Sequence, residues 1–384
     1  MLVWRSVASN ALTLFIVLLV GAAIVVAMAQ NAWRTPGPLS EAICLSVPRG
    51  ATMHGVSEDL AARGAVGSAA LLRVGADYTD KSEELKAGNF LIPEGASPQT
   101  IVDLITRGGA NTCGSELILL VGVSESEIRV RELDPSTGEF ETRVAQPVAE
   151  TLAPEVAQLI EDGFASARVV MAEGVTSWQA VDTLRRAPFL SGEVAEVPEE
   201  GSLAPGSYDI GIGGERGALL DVMAARQQDI LTAAWAGRQP DLPLANAYEA
   251  LILASIIEKE TAVAEERRWV SSVFVNRLND GMRLQTDPTV IYGITEGRGS
   301  LDRGIRRSEL AAATPYNTYV IDGLPPTPIA NPGRAAIEAA VDPADTEFLF
   351  FVADGTGGHA FSRTLAEHRI NVQRWRAIEA QRNQ

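Results

Sequence analysis

The residues best suited to chemistry are two carboxylates flanking a lysine, Glu258-Lys259-Glu260, at the end of an apolar run that begins near Tyr248. Asn246 and Glu249 stand in capping-box spacing and no breaker follows before Thr261, so the run predicts a helix. Leu253, Ile256, Ile257 and Glu260 recur at helical intervals, which places Glu260 at the end of the bulkiest apolar stripe. A carboxylate there is desolvated, and desolvation favours its protonated form, as a general acid requires. Glu258 lies about 200° around the helix, on a stripe of Leu251, Ala254 and Ser255, and from there it can equally face a site. The bulkier stripe points to Glu260, but spacing leaves both glutamates open. The bland alternative has one of them solvated and the other paired with Arg267 or Arg277 of the next helix.

Polar groups that could hold a substrate gather downstream. A second amphipathic helix is expected over Glu265 to Leu278, ended by Asn279-Asp280-Gly281. In the loop after it, Thr286 or Asp287 can cap a short helix opened by Pro288. Gln285 and Asp287 there, and Tyr316 and Asn317 within Thr314 to Tyr319, combine amide, carboxylate and aromatic rings, as a sugar cleft needs. Each alone reads as a turn or a buried tyrosine hydroxyl. Leu324 to Gly333 is a rigid proline-rich loop. Glu347 to Ala353 and His359 to Phe361 form an expected hairpin. No serine or cysteine nucleophile motif accompanies His359 or His368, so structural hydrogen bonding explains both more simply.

Composition narrows the function. The chain has 384 residues, enough for two or three domains, and a net charge of −17, which argues against nucleic acid or another polyanion as partner. Cys44 and Cys113 lack the spacing of a zinc or redox site, and with 3 histidines no metal site is expected, nor any cofactor. An oxidising compartment would permit a bridge between the two cysteines; two buried free thiols remain equally open.

The elements that must position these residues begin with an anchor. Residues 11–29 carry no charge and are long enough to span a hydrocarbon core of roughly 30 Å, leaving residues 1–10 as a short cytoplasmic tail. Arg5 and Arg34 flank the span and give little orientation signal, while Trp4 and Trp33 fit its interfaces. Ala27-Met28-Ala29 resembles a cleavage site, but the stretch exceeds a signal peptide's apolar region, so an uncleaved single-pass anchor is expected. The body then lies on one side, in the periplasm. The fold class is α+β. Residues 36–110 read as strand, two helices and strand, followed by a helix at Pro98 to Thr106 capped by Ser97, an order that resembles a LysM-like module. Residues 111–165 are a hairpin-rich insertion and linker, and 166–384 form the catalytic domain, with helices at Ser177 to Arg186 and beyond residue 217.

Six ordered blocks carry a family resemblance: ASIIEKETAV, VNRL, GMRLQTDPTVIYG, TPYNTY, GLPP with NPG, and FFVADGTGGHAF. Over about residues 250–368 the chain resembles the MltG-type, YceG-like endolytic murein transglycosylases. The resemblance implies a YceG-like mixed α/β catalytic domain and makes the second glutamate of the triplet, Glu260, the catalytic acid. Gln285, Asp287, Tyr316 and Asn317 become substrate-positioning residues. The implied reaction is nonhydrolytic cleavage of the β-1,4 bond between N-acetylmuramic acid and N-acetylglucosamine, leaving 1,6-anhydro ends. Implied partners are peptidoglycan glycan strands and peptidoglycan synthases, at the bacterial inner (cytoplasmic) membrane. Pro205-Gly206-Ser207-Tyr208 departs from the family's acidic residue and threonine after the proline, which puts any substrate role of that position in doubt, and the hairpin-rich stretch has no counterpart in shorter members. A noncatalytic glycan-binding scaffold and a hydrolytic muramidase are the competing readings.

Overall fold

The computed structural model describes residues 2–48, 50–107, 112–163 and 165–382, with side chains described from Thr13 onward; the expectations for Trp4 and Arg5 lie outside the described side chains. Two compact units emerge. One comprises Met1–Glu116, Val130–Val144 and Pro154–Ser166, the other Leu117–Arg129, Ala145–Ala153 and Ala167–Gln384.

The first unit opens with helix α1 (Leu2–Arg34), longer at both ends than the apolar run that predicts it. Within it, Thr13–Arg34 is long and apolar enough to cross a membrane, with a mean hydropathy of 2.5. Its last turn is not free. A Cβ on Gly75 would stand 2.2 Å from the Trp33 ring, so this tryptophan, expected at a membrane interface, packs instead on the folded module.

The module runs β1 (Ile43–Val47), α2 (Met53–Ala62), α3 (Ala69–Tyr78), β2 (Gly88–Ile92) and α4 (Pro98–Thr106). The local signals are strong. Thr52, Ser68 and Ser97 each accept a backbone N–H of the helix they open, and Pro98 takes the first turn of α4. Strands β1 and β2 pair antiparallel from Ile43–Ile92 to Val47–Gly88. Leu45, Leu60, Leu72, Ile92, Ile101 and Ile105 close the core between them. Cys44 and Cys113 form a disulfide, Cα atoms 5.8 Å apart across 69 positions, so the free-thiol alternative falls.

The expected hairpin meander is present as β3 (Ser115–Val121), β4 (Glu127–Leu133) and β5 (Phe140–Pro147), followed by α5 (Pro154–Asp162). It does not form a sheet of its own. With β6 (Ser166–Met171), and with β7 (Gly206–Asp209), which follows α6 (Ser177–Arg186), it makes one five-stranded sheet in the order β5-β4-β3-β6-β7. Gly206-Ser207-Tyr208, the departure noted above, is edge strand β7: Tyr208 is buried and donates to the Ala204 carbonyl at 2.7 Å.

Helices α7 (Arg216–Ala236), α8 (Ala247–Glu260), α9 (Arg267–Asn279), α10 (Asp287–Thr295), α11 (Arg307–Leu310) and α12 (Arg334–Val341) follow, then the antiparallel hairpin β8 (Phe350–Ala353) and β9 (His359–Ser362), and α13 (Leu365–Arg382). The core of this unit is α8 wrapped by α7, α9 and α12. Asn246 caps α8 at the Glu249 N–H, 3.0 Å, and Glu249 returns the bond to Ala245 rather than to Asn246. Every residue from Ala250 to Ile257 is buried. A helix apolar all round belongs to the centre of a core, and on it the two stripes bearing Glu258 and Glu260 are equally covered.

Candidate active site

Because burial does not separate the glutamates, their partners must. At the end of α8, Glu258 accepts the Gly333 N–H at 2.9 Å, where the proline-rich loop enters α12. A Cβ at Gly333 would stand 1.9 Å from Glu173 Oε1, so that side chain would have to swing aside for any larger residue. Arg267 approaches Glu173 at 3.9 Å and acts on Glu258 only through its charge. Burial pushes the Glu258 carboxyl above its ordinary range, partly opposed by the Gly333 bond. This carboxylate holds two elements together.

Glu260 has different surroundings. It lines an open cleft of about 470 Å³ with Arg277, Gln285, Thr286, Asp287, Tyr319 and the aromatic strand β8. Burial raises its carboxyl above the ordinary range, while the hydroxyl of Thr286, which donates to Glu260 Oε1, works against that shift. Arg277 spends its donors on the carbonyls of Leu349 and Leu284, both at 2.7 Å, and lies over the Phe350 ring. It therefore contributes positive charge to the cleft without pairing with Glu260.

The loop opposite is laced in place by hydroxyls. Gln285 is left-handed, φ +50°, and its N–H donates to the Thr318 carbonyl at 3.1 Å. The Thr286 N–H donates to Thr318 Oγ1 at 3.0 Å, and Thr289 joins the same buried knot. Thr286 sits at the N-cap position of α10 but makes no side-chain cap; its hydroxyl is turned to Glu260 instead. Asp287 accepts the Tyr319 hydroxyl at 2.7 Å.

Of the four residues expected to position substrate, Gln285 and Asp287 lie in the cleft wall with Glu260. Tyr316 and Asn317 do not line it. The Tyr316 hydroxyl bonds Thr327 Oγ1 at 2.8 Å and its ring tilts against Tyr292. Asn317 is fully buried; its amide donates to the carbonyls of Glu309, Leu310 and Ala312 and its oxygen accepts the Tyr319 N–H. That amide shapes the loop presenting Thr318 and Tyr319. Tyr319, Arg277 and Phe350 also line the wall, although spacing offers Arg277 only as an ion-pair partner and Phe350 only as part of a hairpin. His359 Nδ1 meets Glu266 Oε2 at 2.7 Å, a structural bond, whereas His368 stacks on Phe350 in the cleft wall.

A family described as YceG-like matches this chain over residues 45–374. An endolytic murein transglycosylase of Bacillus subtilis is 43% identical over 121 residues, covering 32% of this chain and 32% of that protein. One of Streptococcus pneumoniae is 25% identical over 339 residues, covering 85% of this chain and 58% of that protein. The chain thus spans well under two thirds of these relatives' own length. A crystallised YceG-like protein of Listeria monocytogenes superposes with a TM-score of 0.45 at 25% identity, covering 86% of this chain and 99% of that one.

Proposed function

The chain belongs to the YceG-like family, and on that premise we propose that it is a membrane-anchored lytic transglycosylase that cuts peptidoglycan glycan strands with Glu260 as its acid. The observation that carries this reading is the contrast within one triplet: Glu258 is tied to Gly333, whereas Glu260 faces an open polar cleft with its carboxyl raised by burial. A raised carboxyl still holds its proton where most carboxylates have lost it, so it can donate to a leaving oxygen.

The bond cut is the β-1,4 link between N-acetylmuramic acid and N-acetylglucosamine. Glu260 gives its proton to the glycosidic oxygen as the bond to muramyl C1 breaks. The resulting carboxylate takes the proton of the muramyl C6 hydroxyl, whose oxygen closes on C1 to leave a 1,6-anhydro end. Atoms balance without water, and one carboxyl group serves both steps. A hydrolase would need a second carboxylate to activate water or attack C1. Asp287, the acidic neighbour in the cleft, is already engaged by Tyr319 and serves with Gln285 to position the sugar. Tyr316 and Asn317 act through the loop they hold. The strand-helix-helix-strand module is LysM-like and grips glycan, and α1 tethers the enzyme to the cytoplasmic membrane with its body on the outer side, where strands are made by synthases.

Digestion of isolated peptidoglycan with the full chain in detergent, followed by mass spectrometry of the fragments, tests this. Anhydro-ended fragments are expected. Reducing ends would replace the reading with a muramidase, and an absence of fragments would leave a glycan-binding scaffold.

A further inference from the structure

A second cavity, of about 290 Å³, flanks the same two chain segments as the catalytic cleft. Lys259 and Pro288 line it, and their chain neighbours Glu260 and Asp287 line the cleft. Lys259 is the one charged side chain among the described residues that line this cavity. Several of the other polar groups around it are committed: Thr176 donates to the Gly297 carbonyl at 2.6 Å, Gln179 to the Val123 carbonyl at 2.8 Å, Tyr292 to Glu200 at 3.1 Å and Thr295 to the Ile291 carbonyl at 3.0 Å, while Ser124 also faces the cavity.

Lys259 is not. An ammonium group has three donors, and among the described residues this one makes a single hydrogen bond, 3.3 Å to the Gly174 carbonyl. Two carboxylates act on it electrostatically, Glu258, which accepts the Gly333 N–H, and Glu200, which accepts the Ser177 N–H and the Tyr292 hydroxyl, but among the described residues neither makes an ion pair with it. A half-buried cation with spare donors, in a cavity beside the reacting position, is a receptor for an anion. Burial lowers the Lys259 pKa, with Glu258 and Glu200 opposing.

We propose that Lys259 forms an anion subsite that takes a carboxylate carried by the muramyl residue of the strand being cut, which rests on the glycan-cutting reading above. Two sources share that chemistry: the lactyl carboxylate of a peptide-free residue, and the carboxylates of an attached peptide.

The test is binding, read by calorimetry on the full chain in detergent with Glu260→Gln to prevent cleavage. Three alternating oligomers serve as probes: peptide-bearing, peptide-free with lactyl carboxylates, and peptide-free with these converted to methyl amides. Adding Lys259→Met should weaken at least one charged oligomer by about ten-fold or more and leave the methyl amide within about two-fold. Loss on the peptide-free acid alone assigns the lactyl group, and loss on the peptide-bearing oligomer alone assigns the peptide. Lys259→Gln, which keeps a donor for Gly174, should repeat the loss, so misfolding of the methionine variant does not decide the matter. Equal affinities with and without Lys259, or equal loss on the methyl amide, would overturn the subsite. Failure of Glu260→Gln alone to bind any oligomer would instead overturn the glycan reading.

Discussion

A carboxyl group whose pKa is raised by burial weakens the fold wherever solvent would ionise it, and Glu260 is such a group. Its folded pKa is raised and its unfolded pKa ordinary, so between the two values the folded chain binds the extra proton. Stability is then fully present below the unfolded pKa and lost as pH rises through the folded one. Glu260→Gln, neutral at every pH, should melt higher than the native chain at neutral pH and equally below the ordinary carboxylate range, while cleavage falls by about a hundred-fold or more. Equal melting at neutral pH would mean that the carboxyl is not perturbed. The Thr286 hydroxyl opposes the shift, so Thr286→Val should raise the carboxyl further and move the alkaline limb of the rate profile to higher pH, read as kcat/KM across a pH series. At this scale the family resemblance named Glu260, Gln285 and Asp287 as site residues, and the structure sets all three in one cleft wall. Nothing in the sequence showed that the Asn317 amide would be consumed by three carbonyls, because spacing names chain neighbours and not the groups a loop folds back to meet.

Among the elements, the starts were the most legible: Asn246 and Ser97 cap their helices where the sequence places them, since a cap is a local bond. The apolar period on α8 was legible as helix but not as orientation, because the helix is covered on all sides. What separates its two glutamates is the entry to α12. Glu258→Ala would leave the Gly333 N–H without its acceptor and should cost about 1–3 kcal/mol in chemical denaturation, whereas Glu258→Gln keeps an acceptor and should retain both stability and substantial cleavage. Loss of all cleavage in Glu258→Gln would reassign the acid.

For the molecule as a whole, the disulfide closing 69 positions is the largest single constraint on the N-terminal unit. Cys44→Ser should lower that unit's stability by about 4 kcal/mol on a chain-entropy account. Reductant should reproduce the effect in the native chain and add nothing to the variant, both read as unfolding midpoints. A bridge of this kind agrees with a body outside the reducing cytoplasm. The sequence by itself determined the apolar span, the order of elements in the N-terminal module, the helices around the chemistry-bearing triplet and the hairpins, because caps, turns and hydrophobic period act over a few residues. Only the tertiary structure decided that Cys44 meets Cys113, that Trp33 docks on Gly75, that the meander shares a sheet with β6 and β7, and that Thr286 answers Glu260 while Gly333 answers Glu258. Each joins residues far apart along the chain, and no local preference encodes which distant group will be there.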